Sequence, residues 1–272
     1  MNVTKLPRLP IVFVSIVSLI ASSVTYVSPL GAQPSREETS KFPTPLSNQQ
    51  PPDFSGDGRP GGRTGGGSRT PCPRVNAPFT TALLPMNNLG KTVAERPTVW
   101  FYVPYSPQAA PAGEFVLQEE NGNEVYRTAF TLPATPGFVS FSTPLAVEPL
   151  KVNKLYRWYF KLYCEEQRSS TPVFVEGWVQ RVEKTPALDR QLQAARLREY
   201  VVYADNGIWY DALNDLAQLR LINPSNSMFA NDWANLLRAK GVGLEQFSRG
   251  SVVGKVILPP LVGSSSLQPI AY

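Results

Sequence analysis

The chain has 272 residues, with 26 Lys and Arg against 21 Asp and Glu, 27 prolines, two cysteines and no histidine. Without histidine it cannot build a Ser-His-Asp or Cys-His device, and it lacks the commonest general base and metal ligand. Two cysteines make neither an all-cysteine nor a mixed Cys/His zinc site. The charge excess is too small and dispersed to argue for nucleic acid or an anionic membrane surface.

At the N-terminus Lys5 and Arg8 precede the apolar run Ile11 to Ala21, and no acid occurs before Glu37. A short basic segment followed by an apolar stretch reads as a secretory signal over residues 1–32, with Ala32 as the last residue removed and Ala21-Ser22-Ser23 as a second cut. The alternative is an uncleaved anchor, but Ser15, Ser18, Ser22, Ser23 and Thr25 make a poor spanning helix. Cleavage would leave no stable membrane insertion, and would place the mature chain in a periplasmic or extracellular compartment. There Cys72 and Cys164 read as a disulfide, the alternative being two separate buried thiols.

Residues 33–77 hold eight prolines, seven glycines and few large apolar side chains: Phe42, Leu46, Phe54 and Val75. Such a segment is expected to remain a flexible linker. Its centre, GDGRPGGRTGGGSR (Gly56 to Arg69), fails as a phosphate-binding loop because no lysine lies between Lys41 and Lys91. It also fails as a nucleic-acid segment, since Asp53 and Asp57 sit beside its arginines and no aromatic is interleaved. Four arginines (Arg59, Arg63, Arg69, Arg74) are more than a flexible linker needs.

Strand-like patterning fills residues 78–184. The expected strands are Thr80–Leu84, Thr98–Tyr105, Glu114–Gln118, Glu124–Leu132, Phe138–Ser142, Tyr156–Cys164 and Val173–Val182, with a hairpin at Asn121-Gly122. Their number and spacing suit an immunoglobulin- or fibronectin-like sandwich. In YRWYFKLYC, Tyr156, Trp158, Phe160, Leu162 and Cys164 share one face and should meet the core. Leu150, six residues before Tyr156, matches a tyrosine corner, in which the hydroxyl bonds back to the upstream backbone. The other face presents Arg157, Tyr159, Lys161 and Tyr163. This basic-aromatic stripe is a candidate recognition surface, or else a face packed under neighbouring elements.

From residue 185 to 243 the period becomes helical, over Ala187–Val202, Trp209–Ile222 and Met228–Lys240. Ser225 or Ser227 is expected to cap the third helix. Tyr203 to Pro224 resembles a tetratricopeptide hairpin through Gly207, Trp209, Ala212 and Pro224, although a single unit is too few to stack. The hairpin around Trp209 is a second candidate binding surface. Residues 244–272 read as a tail with a short strand over Val252–Leu258.

The segments GGRTGGGSRTPC, GKTVAERPTVWFYVPY, EFVLQEENGNEVYRTAFTLP, YRWYFKLYC, VFVEGWVQRVE and NGIWYDAL resemble, in order, those of a cyanobacterial family known as domain of unknown function 928. The likeness runs from about Asp53 to Gly243. It implies export, a β-rich body with a tetratricopeptide-like end, and cysteines at the places of Cys72 and Cys164. It implies no activity, cofactor or catalytic residue.

The acid pairs Glu119-Glu120 and Glu165-Glu166 would point to opposite faces of a strand and make no ready dyad. The leading expectation is an exported, non-catalytic binding or scaffold protein of the cell envelope, with no cofactor, metal or nucleic acid. Its partner would be a protein or an envelope polymer, met through Tyr159, Lys161, Tyr163 or Trp209. The alternatives are a structural envelope component and a carboxylate-based hydrolase.

Overall fold

The computed structural model describes residues 44–65, 71–76, 78–165, 168 and 170–260. The expected signal segment lies outside the described residues.

Among the described residues, aromatic and β-branched runs with period two give nine strands in two sheets. Four strands, β1 (Thr81–Ala82), β3 (Thr98–Val103), β6 (Gly137–Ser142) and β9 (Val252–Lys255), form one sheet in the order β1-β3-β6-β9. The other holds β2 (Leu89–Thr92), β4 (Ala112–Glu119), β5 (Glu124–Phe130), β7 (Leu155–Tyr163) and β8 (Val173–Arg181) in the order β2-β8-β7-β4-β5. The pairs β2–β8 and β6–β9 are parallel and the rest antiparallel. β2 was not expected, because LGKT carries a glycine and only one β-branched residue.

The two sheets meet through their inner faces. Tyr156, Trp158, Phe160 and Leu162 of β7 are all buried, as their alternation requires. Phe101 of β3 stacks on Phe160 with ring centroids 3.9 Å apart, and Phe115 of β4 stacks on Phe141 of β6 at 3.8 Å. Each fully buried phenylalanine contributes about 2–3 kcal/mol. At the corner before β7 the Lys151 N–H donates to the Tyr156 hydroxyl at 3.0 Å, five residues upstream as the spacing from Leu150 suggests.

The helices are α1 (Pro186–Ala195), α2 (Glu199–Asp205), α3 (Trp209–Ile222) and α4 (Ser227–Arg238). α1 starts where the Leu188 N–H donates to the Thr185 hydroxyl, with Pro186 in the first turn. The single helix expected over Ala187–Val202 is broken, since Arg196 and Leu197 take positive φ. The break lets the two halves bury different faces. Leu188, Leu192 and Ala195 form a small cluster with Val202 and Ile208, whereas Tyr200, Val201 and Ala204 join the main core. Asn226, rather than either serine, caps α4 by accepting from the Met228 and Phe229 N–H groups.

The helical segment shares one hydrophobic core with the sheets. α3 supplies the junction. Trp209 donates its indole N–H to the Leu83 carbonyl at 2.8 Å, and Asn214 accepts the Trp100 indole N–H at 3.2 Å. The buried Tyr210 hydroxyl accepts from the Trp158 indole at 2.8 Å and donates to the Trp178 carbonyl at 2.9 Å. Gly90 in β2 makes room for that ring, because a Cβ there would lie 2.4 Å from a Tyr210 carbon.

Residues 44–65, inside the segment expected to be a flexible linker, are built into the fold. Leu46 and Phe54 are buried, and Phe54 meets Trp209 edge-on at 4.9 Å. Farther on, Glu176 of β8 donates its N–H to Gly62, while Gly65 and Thr80, and Ala82 and Arg63, are joined by backbone bonds of 2.7 Å. This short run therefore lies between an edge of each sheet. Arg63 donates to the carbonyls of Leu84, Val242 and Gly243, which accounts for one of the four arginines a linker does not need. Cys72 and Cys164 form a disulfide, fixing the end of this segment to the end of β7.

Tyr210→Phe leaves the buried Trp158 N–H unpaired and takes one of two donors from the Trp178 carbonyl. It should cost about 2 kcal/mol in urea unfolding without changing the far-UV spectrum. The Cys72→Ser/Cys164→Ser double variant, whose wild-type bridge spans 92 residues, should lose about 4–5 kcal/mol in the same measurement.

Candidate functional site

The outer face of the five-stranded sheet holds most of the residues singled out for binding. β7 lies at the centre of that sheet. Its register places Arg157 opposite Trp178, Tyr159 opposite Glu176 and Lys161 opposite Phe174 of β8. On its other side Lys161 faces Glu114, and Tyr159 faces Val116 of β4.

These side chains are tied into a charged lattice. Arg157 bonds Glu176 at 2.5 Å, and its guanidinium lies 5.0 Å from the Tyr159 ring and 5.6 Å from that of Trp178. Lys161 and Arg127 both reach Glu114, at 2.9 and 2.7 Å, and Arg127 continues to Glu124 at 2.6 Å. Burial raises the Glu114 carboxyl, but the bonds from Lys161 and Arg127 outweigh it and hold it below the usual range. Burial pushes the Tyr159 hydroxyl up. Val116 lies under this lattice at 1% exposure, and Phe174 stands out of it at 47%.

The residues proposed from sequence therefore separate. Tyr159 and Lys161 are half-buried on the outer face. Tyr163, at 8% exposure, is buried and offers little surface. Trp209 is wholly buried, with Phe54 against its ring and Leu83 on its indole, so it belongs to the core and cannot be a contact residue. Helical periodicity names an apolar face without saying what covers it, and here the cover comes from the presumed linker. Phe174 was missed, although its place in β8 alternates with the buried Val173 and Val175.

A different chemistry gathers on α3. Asp211 and Asp215, one turn apart, line a hollow of about 180 Å³ with Thr92, Arg96, Thr98 and Asn214. Burial pushes the Asp211 carboxyl up to about 6, against bonds from Thr92 and the Val93 and Ala94 N–H groups. Burial, then the charges of Asp211 and Glu199, push Asp215 up to about 7. The four-residue spacing of the pair was visible in sequence; its burial was not. Between the linker segment and the body lies a second hollow of about 700 Å³, where Asp53, Asp57, Arg59 and Lys91 mix both charges. Among the described residues no group of three or more Cys, Asp or Glu is placed to hold a metal ion. No helix among them is long and apolar enough to cross a membrane.

The sequence model of a family described as Domain of Unknown Function (DUF928) matches residues 64–252, and the chain belongs to that family. No curated protein matches the chain.

The Asp211/Asp215 pair sets a pH dependence. A carboxyl whose folded pKa lies above its unfolded value near 3.8 favours folding while protonated and opposes it once ionised. Stability from this pair is full below about pH 4 and is lost as pH rises through 6 and 7. Asp215→Asn should leave the melting temperature nearly unchanged at pH 4.5. At pH 8 it should raise it by about 2–4 °C, flattening the slope between.

Proposed function

We propose that this DUF928 protein is an exported, non-catalytic binding or scaffold protein of the cell envelope, recognising a protein or an envelope polymer through the outer face of its five-stranded sheet. The observation that carries this reading is Phe174, an exposed aromatic directly opposite Lys161 and held on a rigid, ion-paired face. Aromatic and cationic side chains on a pre-organised surface bind at low entropic cost. Export is supported by the disulfide, which persists in oxidising compartments, and by the basic-apolar N-terminal segment. The sequence resemblance supports a cyanobacterial source. We read the sandwich as immunoglobulin- or fibronectin-like on the Tyr156 corner, and the α2–α3 hairpin, Tyr203 to Pro224, as a tetratricopeptide-like unit on buried Ala212 and the following Pro224.

A second reading, a carboxylate-based hydrolase, is favoured by the Asp211/Asp215 hollow alone. Two neighbouring carboxyls with raised pKa values provide a general acid near neutral pH.

The test is co-sedimentation of the mature protein with purified cell-wall sacculi, alongside pull-down from envelope extract. Phe174→Ala and Tyr159→Ala should each reduce retention about tenfold, whereas Asp215→Asn should not change it. Retention unaltered by both aromatic variants would remove the sheet face as the binding surface. Hydrolysis of the sacculi that Asp215→Asn abolishes would select the second reading.

A further inference from the structure

The sheets have four edge strands, and three are short or covered. β1 has two residues and is bridged through Thr81 to Thr64, while β2 and β9 have four residues each. The fourth, β5, has seven residues and, among the described residues, pairs with β4 alone. Long free edges invite another strand, and proteins normally block them.

The direction of the free groups on β5 follows from its end. Thr131, just past β5, exchanges both backbone bonds with Ile257 at 2.9 Å, on the side away from β4. In a strand the N–H and C=O of alternate residues point to the same side. Ala129 and Arg127 therefore point outward with Thr131, while Phe130, Thr128 and Tyr126 point to β4. The Ala129 carbonyl takes a bond of 3.1 Å from the Thr128 hydroxyl and keeps its second lone pair.

The chain begins to fill this edge itself and then stops. Continuing antiparallel from the Ile257–Thr131 pair, residue 259 would meet Ala129. That residue is Pro259, followed by Pro260, and proline has no N–H to give. One pair forms, and the next is forbidden by covalent structure.

Beside the Glu124 end of the edge lies a groove of about 710 Å³. Its walls carry Glu119, Glu124 and Glu148 against Lys151, over an apolar floor that includes Tyr126 and Pro149. Glu124 is engaged by Arg127, and Glu119 accepts from Asn121 at 3.5 Å; Glu148 is exposed. The groove thus offers three carboxylates to one ammonium.

We infer that β5 is a strand-addition site, which pairs in extended form with a basic segment of another polypeptide through the outward groups of Arg127 and Ala129. Main-chain bonds supply affinity, and the acidic groove selects Lys or Arg side chains on alternate positions. This surface differs from the sheet face around Phe174, so either can fail without the other.

The probe is a fluorescein-labelled decapeptide of alternating Thr and Lys, read by anisotropy with the disulfide-intact protein. It should bind the wild type, and a Thr-Glu counterpart should not. Ala129→Pro removes an outward N–H and no β4 bond, so it should weaken binding on the order of tenfold while the melting temperature holds. Glu148→Lys should weaken it about threefold, and more at low salt than at high. Should Ala129→Pro fail to fold, the Thr-Lys peptide N-methylated at alternate residues answers the same question on the wild type, and should bind on the order of tenfold more weakly. No binding of the Thr-Lys peptide, equal binding of the Thr-Glu or N-methylated peptide, or an unaltered affinity in a folded Ala129→Pro protein would overturn the inference. A loss confined to Phe174→Ala would also overturn it, and would return the site to the sheet face.

Discussion

The Tyr210 hydroxyl stands where three elements meet: it takes the indole N–H of Trp158 from β7 and gives its own proton to the Trp178 carbonyl of β8. A wholly buried tyrosine is costly unless its oxygen is paired, and a buried indole N–H is costly for the same reason. Placing each against the other satisfies both, and does so in only one position of α3 over the sheet. The remaining tryptophans repeat the arrangement: Trp100 donates to Asn214, Trp209 to Leu83, Trp178 to Pro60 and Trp233 to Phe247. Hydrophobic burial drives the rings inward, but three of these directed bonds, those of Trp158, Trp100 and Trp209, fix α3 against the sheets. Gly90 belongs to the same constraint, because any side chain there would displace Tyr210.

Two of those bonds depend on the proline- and glycine-rich segment. Pro60 supplies the acceptor for Trp178, and Phe54 covers Trp209. Few apolar side chains are needed because most of the attachment is main-chain. Glycines at 61 and 65 allow the backbone to run close to β8; a Cβ on Gly61 would come 3.0 Å from a Glu176 carboxylate oxygen, and one on Gly65 3.0 Å from the Phe174 carbonyl. Arg63 then closes three carbonyls from two distant loops. The disulfide follows at once in the chain, so a segment that composition assigns to solvent is held at both ends.

These attachments explain what the sequence disclosed and what it withheld. The strand faces were legible, since Tyr156, Trp158, Phe160 and Leu162 alternate strictly with charged or polar-tipped residues, and burial follows the alternation. The Tyr156 hydroxyl bond was legible from the local Leu150–Tyr156 spacing, and the Cys72–Cys164 pair from there being two cysteines in a chain expected to be exported. The docking of residues 44–65 was not, because backbone hydrogen bonds leave no trace in composition. Nor was the burial of Trp209: α3 buries Trp209, Tyr210, Ala212, Leu213, Leu216 and Ala217, more than one face, since it is covered by both the sheets and the linker segment. Of the candidate site, Tyr159 and Lys161 fell where period two put them, and Phe174 was hidden only by attention to β7 alone.

The missing histidine acquires a physical sense from this arrangement. The acids and bases of the outer sheet face are spent on one another, with Glu114 shared by Lys161 and Arg127, and Arg157 held by Glu176 between two rings. A lattice of this kind pairs three cationic with three anionic side chains and is nearly neutral. Burial raises Asp211 to about 6 and Asp215 to about 7, and both lie on α3 rather than in that lattice. The two carboxyls that burial raises toward neutrality thus sit at the helix–sheet junction, on the helix that carries Tyr210, rather than among the ion pairs of the outer face.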